Sequence, residues 1–159
     1  MKEIQLTQGY VAIVDDEDFE RLDEYKWYVC KGKNTFYAAR NKRGGRKNRG
    51  CILMHREILG AVSGGIIDHR DDNGLNNQKN NLRICTTQQN ISNKRKELNY
   101  SSRFKGVHWL KANKKWRAAL MFKYKHIHLG LFDSEESAAH AYDRGALKFF
   151  GTFARLNFK

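Results

Sequence analysis

Four polar residues in the middle of the chain have types and spacing that could do chemistry together: Asp68, His69, Asn81 and Asn90. Asp68 offers a carboxylate, His69 an imidazole, Asn81 and Asn90 an amide each. Hydrolysis of a phosphodiester asks for such groups. It needs a base to activate water and a cation to hold charge on the phosphate and leaving oxygens. A hard cation such as Mg²⁺ takes oxygen ligands and keeps several waters. Singly, Asp68, Asn81 and Asn90 are better suited to capping and tying loops, which Asx residues often do. Only the four together argue for catalysis.

These residues need a strand, a loop, a second strand and a helix to position them. Residues 64–69 read as a strand running into a polar loop, and Asp71-Asp72-Asn73-Gly74 is a turn signal. Residues 81–85 read as the second strand. Thr86 or Thr87 caps a helix that carries Asn90 and ends near Lys96. Neighbouring residues on a regular strand point to opposite faces. Asp68 and His69 could then share one site only if the strand breaks there, so irregular backbone is expected at that point.

Upstream, residues 10–14 read as a strand, and the acidic residues at 15–18 suit a helix N-terminus. Phe19, Leu22 and Tyr25 or Trp27 recur at roughly helical spacing. Residues 27–30 and 35–39 form a hairpin through Lys31-Gly32-Lys33-Asn34. The basic stretch at 41–49 is a loop, either simply solvated or touching phosphate. Residues 51–59 begin as a strand and continue as a short helix. Downstream, strands at 105–109, 116–124 and 126–129 precede a helix capped by Asp133 with Glu136 three residues on. Ala138, Ala139, Tyr142 and Ala146 lie along it, and Gly151 ends it.

Charge supports an anionic partner. The formal net charge is +13. Residues 1–30 hold 3 basic and 8 acidic residues, so the remaining 129 carry +18. A polyanion fits that excess, whereas a membrane surface would ask for a basic amphipathic helix with a broad apolar face. No apolar run is long enough for a transmembrane helix and no signal-peptide core is present, so a cytoplasmic protein is expected. Cys30, Cys51 and Cys85 form no CxxC pair and are expected as reduced, partly buried thiols.

The central segment resembles the HNH nucleases, and within them the phage-type homing endonucleases. The matching text is Met54-His55-Arg56-Glu57-Ile58-Leu59-Gly60, Ile67-Asp68-His69-Arg70-Asp71-Asp72-Asn73-Gly74-Leu75-Asn76-Asn77, Asn80-Asn81-Leu82-Arg83 and Thr87-Gln88-Gln89-Asn90. The resemblance implies Asp68 and Asn90 as metal ligands and His69 as general base, with Asn81 orienting the His69 ring. Many relatives carry a second histidine where this chain has Asn90. Asparagine is a poor zinc ligand, so Mg²⁺ or Mn²⁺ is implied and no zinc is expected. His55 is read as structural. Arg56, Arg70 and Arg83 are possible phosphate contacts, with solvated or salt-bridged roles equally open.

The last segment resembles the AP2 DNA-binding domain. The matching text is Phe104-Lys105-Gly106-Val107, Lys115-Trp116-Arg117-Ala118, His128-Leu129-Gly130-Leu131-Phe132-Asp133, Glu135-Glu136-Ser137-Ala138-Ala139-His140-Ala141-Tyr142-Asp143 and Ala154-Arg155-Leu156-Asn157-Phe158. Alternation puts Trp116, Ala118, Leu120 and Phe122 on one face, toward the helix. The other face then offers Arg117, Met121, Lys123, His126 and His128, with Lys105, His108 and Lys111 from the first strand, to the DNA major groove. Ala119 and Met121 stand where plant relatives carry arginines, so shape and thymine-methyl contacts are expected over guanine readout.

The expected fold is thus α+β. An N-terminal extension at 1–50 and a ββα-metal core at 51–96 form the nuclease. A linker at 97–102 leads to a three-stranded antiparallel sheet with one packed helix at 103–159. The expected activity is metal-dependent DNA hydrolysis by a monomer acting on double-stranded DNA, with no small-molecule cofactor and no membrane partner. The resemblance places it in a bacterial or phage-infected cell. The competing expectation is a non-catalytic DNA-binding regulator with a decayed nuclease domain.

Overall fold

Aspartate and glutamate stabilise the positive end of a helix dipole. Asp16, Glu17 and Asp18 occupy the first turn of α1 (Asp16–Asp23) in the computed structural model, which describes residues 1–42, 50–60, 64–94 and 101–158. The basic stretch at 43–49 and residues 97–100 of the expected linker lie outside the described residues. Before α1, β1 (Lys2–Gln5) and β2 (Val11–Val14) pair antiparallel. β1 is an element that the sequence reading did not anticipate.

β3 (Tyr28–Lys31), β4 (Phe36–Asn41) and β5 (Cys51–Leu53) form an antiparallel sheet in that order, and α2 (Met54–Ile58) follows directly. One core joins most of these elements. Ile4, Val14, Leu22, Trp27, Met54 and Leu82 are buried in the same cluster, and Trp27 Nε1 donates to the Leu22 carbonyl. Arg40 forms a bidentate ion pair with Glu57 and lies over the Tyr25 ring, tying β4 to α2. The first fifty residues therefore supply much of the hydrophobic interior around the site rather than adding a separate layer.

β6 (Ile66–His69) and β7 (Leu82–Cys85) make a two-stranded antiparallel ribbon. A lone ribbon is marginal in water. Here the acidic N-terminal segment holds the connecting loop. Ile13 N donates to Leu75 O, and Asn77 N donates to Ile13 O. The Asp15 carboxylate accepts from Lys79 N and Gln78 Nε2, and Lys79 pairs with Glu17 and Asp18.

Residue contacts divide the chain into Met1–Cys85 and Thr86–Lys159. The helix carrying Asn90, α3 (Thr87–Asn93), falls in the second unit, whereas the expected core ran from 51 to 96. Its capping box is formed by Thr86 and Gln89, and it stops at Asn93 rather than near Lys96. In this unit β8 (Val107–Leu110), β9 (Lys115–Phe122) and β10 (Lys125–Phe132) form an antiparallel sheet in the order β10-β9-β8, with α4 (Glu135–Phe150) packed on it. The helix is capped by Ser134, whose hydroxyl accepts from Ser137 N. Asp133, the expected cap, instead pairs with Lys115.

The small residues Ala138, Ala139 and Ala146 are fully buried, and they let the α4 backbone lie close to the sheet. Gly106 is needed for the same closeness. Its φ is +74°, and a Cβ there would sit 1.9 Å from the Tyr142 ring. The fold is thus α+β, built from small antiparallel sheets with few helices. Among the described residues no helix is long and apolar enough to cross a membrane. All three cysteines are free; Cys85 is buried and Cys51 is exposed.

The C-terminal tail is held by one buried carboxylate. Asp143 accepts from Asn157 N, Asn157 Nδ2 and Phe158 N. Asp143→Ala should strand those donors and cost roughly 2–4 kcal/mol, read as a lowered urea midpoint of the tryptophan-rich second unit. An unchanged midpoint would mean that the tail contributes nothing to stability.

Candidate active site and docking surface

Register decides where Asp68 and His69 go. Asp68 lies opposite Arg83, and His69 lies opposite Leu82. The ladder even continues one step past the strand, with Arg70 N donating to Asn81 O. The expected strand break is therefore corrected: both residues sit in regular paired strand, on opposite faces, at its very end. The backbone irregularity comes three residues later, at Asp72, whose φ is +65°.

Asp68 and Arg83 form a buried cross-strand ion pair, with Oδ2 accepting from Nε at 2.8 Å and from Nη2 at 2.7 Å. Arg83 thus holds the carboxylate, the salt-bridged role that the sequence left open for it. Arg56 is also engaged, donating to Gly65 O at 2.9 Å. Arg70 is exposed and is the one of the three arginines still presented to solvent.

His69 is buried among rings. The His55 ring stands perpendicular to it at 5.1 Å, and Tyr37 lies 5.9 Å away. Burial pushes the imidazole below its ordinary range, while Asn77, Asp71 and Asp68 pull in the other direction. The result is a neutral ring at neutral pH. Its Nε2 is buried and has no hydrogen-bond partner among the described residues. The fully buried Asn77 faces this ring, although its Oδ1 also falls short of a hydrogen bond.

Asn81 does not meet the His69 ring, contrary to expectation. Its Oδ1 accepts from Asp71 N, and its Nδ2 donates to Asp71 Oδ1 and Asn76 O. It braces the loop between the two strands, the ordinary work of an Asx residue. Burial alone would raise the Asp71 carboxyl, but hydrogen bonds from Asn73, Asn76 and Asn81 hold it below its usual range. Asn90 lies half-buried on α3 in the second unit. Tyr37 and Asn77 were missed by the sequence reading. No motif marks Tyr37, which is brought to His69 only by β4.

The chemistry of the oxygen donors fits a hard cation. Asp68 offers a carboxylate held by Arg83, whereas among the described residues no three His, Cys, Asp or Glu side chains gather into a metal-holding group. An ion bound there must rely on water and substrate oxygens for most of its shell.

On the second unit the open sheet face is as alternation implies for the strand interiors. His108 lies opposite Arg117, Ala119 opposite His128 and Met121 opposite His126. Trp116, Ala118, Leu120 and Phe122 face the helix. Arg117 is half-buried, and its Nε has no hydrogen-bond partner among the described residues. Three expected members of the face move. Lys123 is in the two-residue hairpin turn, with φ of +48°. Lys111 lies just past β8. Lys105 precedes β8 and donates to the carbonyls of Ser92 and Lys94 at the α3 C-terminus, where a cation meets the negative end of the helix.

No family model matches the chain, and no solved structure matches it. Curated relatives do. The chain is 31% identical over 156 residues to an uncharacterized HNH endonuclease of Acanthamoeba polyphaga mimivirus, covering 94% of this chain and 76% of that protein. It is 31% identical over 107 residues to protein 3.8 of Escherichia phage T7, covering 64% of this chain and 88% of that protein. It is 42% identical over 59 residues to an ethylene-responsive transcription factor of Arabidopsis thaliana, covering 37% of this chain and 13% of that protein.

The buried rings make stability depend on pH. Burial holds folded His55 at about 3, below its ordinary 6.5. The unfolded chain therefore takes up the proton first. This contribution to stability is complete above pH 6.5 and is lost as pH falls toward 3. His55→Phe should flatten that part of the acid limb in thermal melts taken between pH 7 and 4. An unaltered slope would show that His55 is not held neutral.

Proposed function

Because the chain belongs to the HNH endonuclease family, we propose that it hydrolyses phosphodiester bonds in double-stranded DNA with a hard divalent cation, Mg²⁺ or Mn²⁺. The observation that carries this reading is the end of β6. There a neutral imidazole with an unpartnered Nε2 adjoins a carboxylate fixed by Arg83. A phosphodiester lying across the strand end would meet the imidazole from one face and the carboxylate from the other. Asp68 would be a ligand of the cation, which supplies charge stabilisation at the phosphate when bound. The His69 imidazole would take the proton of the attacking water. Arg70, exposed beside the pair, would contact phosphate. Asn81 would act indirectly, by keeping the 71–76 loop in shape.

Docking belongs to the open sheet of the second unit. Similarity to a plant transcription factor and the strongly basic composition both support DNA as the polyanion. The face mixes Arg117 and three histidines with the apolar Met121, which is 52% exposed. Phosphate and shape contacts with apolar contact to thymine methyls suit it.

Supercoiled plasmid and then a randomised target library, incubated with Mg²⁺ or Mn²⁺, test the chemistry. Wild type should cut and EDTA should stop it. His69→Ala should slow cleavage by about 10²–10⁴. Sequence-specific DNA binding with no cleavage of any library member would favour a non-catalytic regulator instead.

Docking is tested separately by titrations at several salt concentrations. Arg117→Ala should weaken DNA binding and reduce the salt slope by about 1. Lys105→Ala should leave the slope alone and lower thermal stability, because that lysine caps α3. The reverse pattern would remove the sheet face from the interface.

A further inference from the structure

The general base needs a fixed ring, and Asn81 does not fix it. Its amide hydrogens are both spent on the loop, on Asp71 and Asn76. Besides Asn77 of the β6–β7 loop, the rings that surround the His69 imidazole come from two other elements. His55 on α2 is 5% exposed and stands edge-on to His69 with an interplanar angle of 89°. Tyr37 on β4 touches both histidines, at 5.3 Å from His55 and 5.9 Å from His69. The three rings close a triangle.

Tyr37 is itself clamped. A Cβ on Gly32 would lie 2.5 Å from its Cε2, and a Cβ on Gly74 would lie 2.4 Å from the Phe36 carbonyl oxygen and 2.6 Å from the Tyr37 Cδ1. Cε2 and Cδ1 are on opposite edges of the ring, so two turns close on it from both sides, one from the β3–β4 hairpin and one from the β6–β7 loop. A side chain at 32 would push the ring out, and one at 74 would collide with both the Phe36 carbonyl and the ring. The tyrosine held in this way walls a histidine. A merely space-filling role would ask for neither the perpendicular ring contact nor the double clamp.

We propose that His55 and Tyr37 are positioning residues that hold the His69 imidazole at the end of β6, the part first given to Asn81. This rests on His69 serving as the base. The mechanism is steric: three mutually touching rings leave few rotamers to the central one, so the imidazole keeps its orientation. His55 acts here by shape, and an aromatic ring of similar size does the same.

Two readouts test the proposal on the full-length protein. In single-turnover and steady-state cleavage, His55→Ala and Tyr37→Leu should each lower kcat about tenfold with KM for DNA unchanged, at a temperature where both remain folded. His55→Phe should restore most of the rate. Side-chain ¹H–¹⁵N spectra of His69 supply the second readout and need no activity. Its ring signals should shift or broaden in His55→Ala and recover in His55→Phe. Unchanged kcat in folded variants, a loss that follows folded fraction alone, or His55→Phe as slow as His55→Ala would overturn the proposal. So would His69 signals identical in wild type and His55→Ala. A wild type that cuts no DNA but shows the spectral change would sink the nuclease reading while leaving the positioning role standing.

Discussion

The register of the β6–β7 ribbon is the constraint on which the site depends. Sliding β7 by one residue would exchange the partners of Asp68 and His69 and send each side chain of β7 to the other face. Arg83 would leave Asp68, and Leu82 would leave the core. A two-stranded ribbon has little capacity to hold its own register. Three things hold it from outside: Leu82 is buried in the common core, Asn81 braces the loop, and Ile13 and Asp15 grip residues 75–79. The acidic N-terminal segment thereby gains a reason. Its negative charge favours the start of α1 and also pairs with Lys79, in a chain that is otherwise strongly basic.

Burial sets the electrostatics of the same region. A buried carboxylate keeps its charge only when it is paired, and Arg83 provides that pair at 9% side-chain exposure. Buried imidazoles with no strong partner stay neutral instead. His55 and His69 both do so, each for the same reason, loss of water. One strand end thus carries a paired carboxylate on one face and a neutral imidazole on the other. That division follows from pairing and burial, with no irregular backbone required.

The second unit solves a different problem. A three-stranded sheet must cover one face and may leave the other open. Alanines along α4 and Gly106 beneath Tyr142 bring helix and sheet close enough to bury one face. Arg117, Met121 and the histidines are left on the other. Asp143 completes the unit by gathering the tail that follows the helix. Lys105 illustrates how a basic residue near such a face can be absorbed by the fold: helix carbonyls take it before a partner does.

The sequence by itself determined most of the local elements, the alternation of the C-terminal strands and a set of candidate site residues. All of these are short-range patterns: period-two alternation, caps within a turn, and motif spacing inside some forty residues. It also showed that Asp68 and His69 would point apart on a regular strand. It did not show that the strand stays regular, because that depends on the loop being gripped by residues sixty positions away. The gathering of Tyr37, Asn77, Gly32 and Gly74 was invisible for the same reason. Gly32, Gly74 and Asn77 stand in turn or motif text, but nothing there joins them to Tyr37, and they come together only when β4, α2 and β6 pack around one core. Which lysines and arginines stay free was likewise decided by the tertiary structure. Charge is legible in sequence, but its partner is chosen by whichever carbonyl or carboxylate the fold brings within reach.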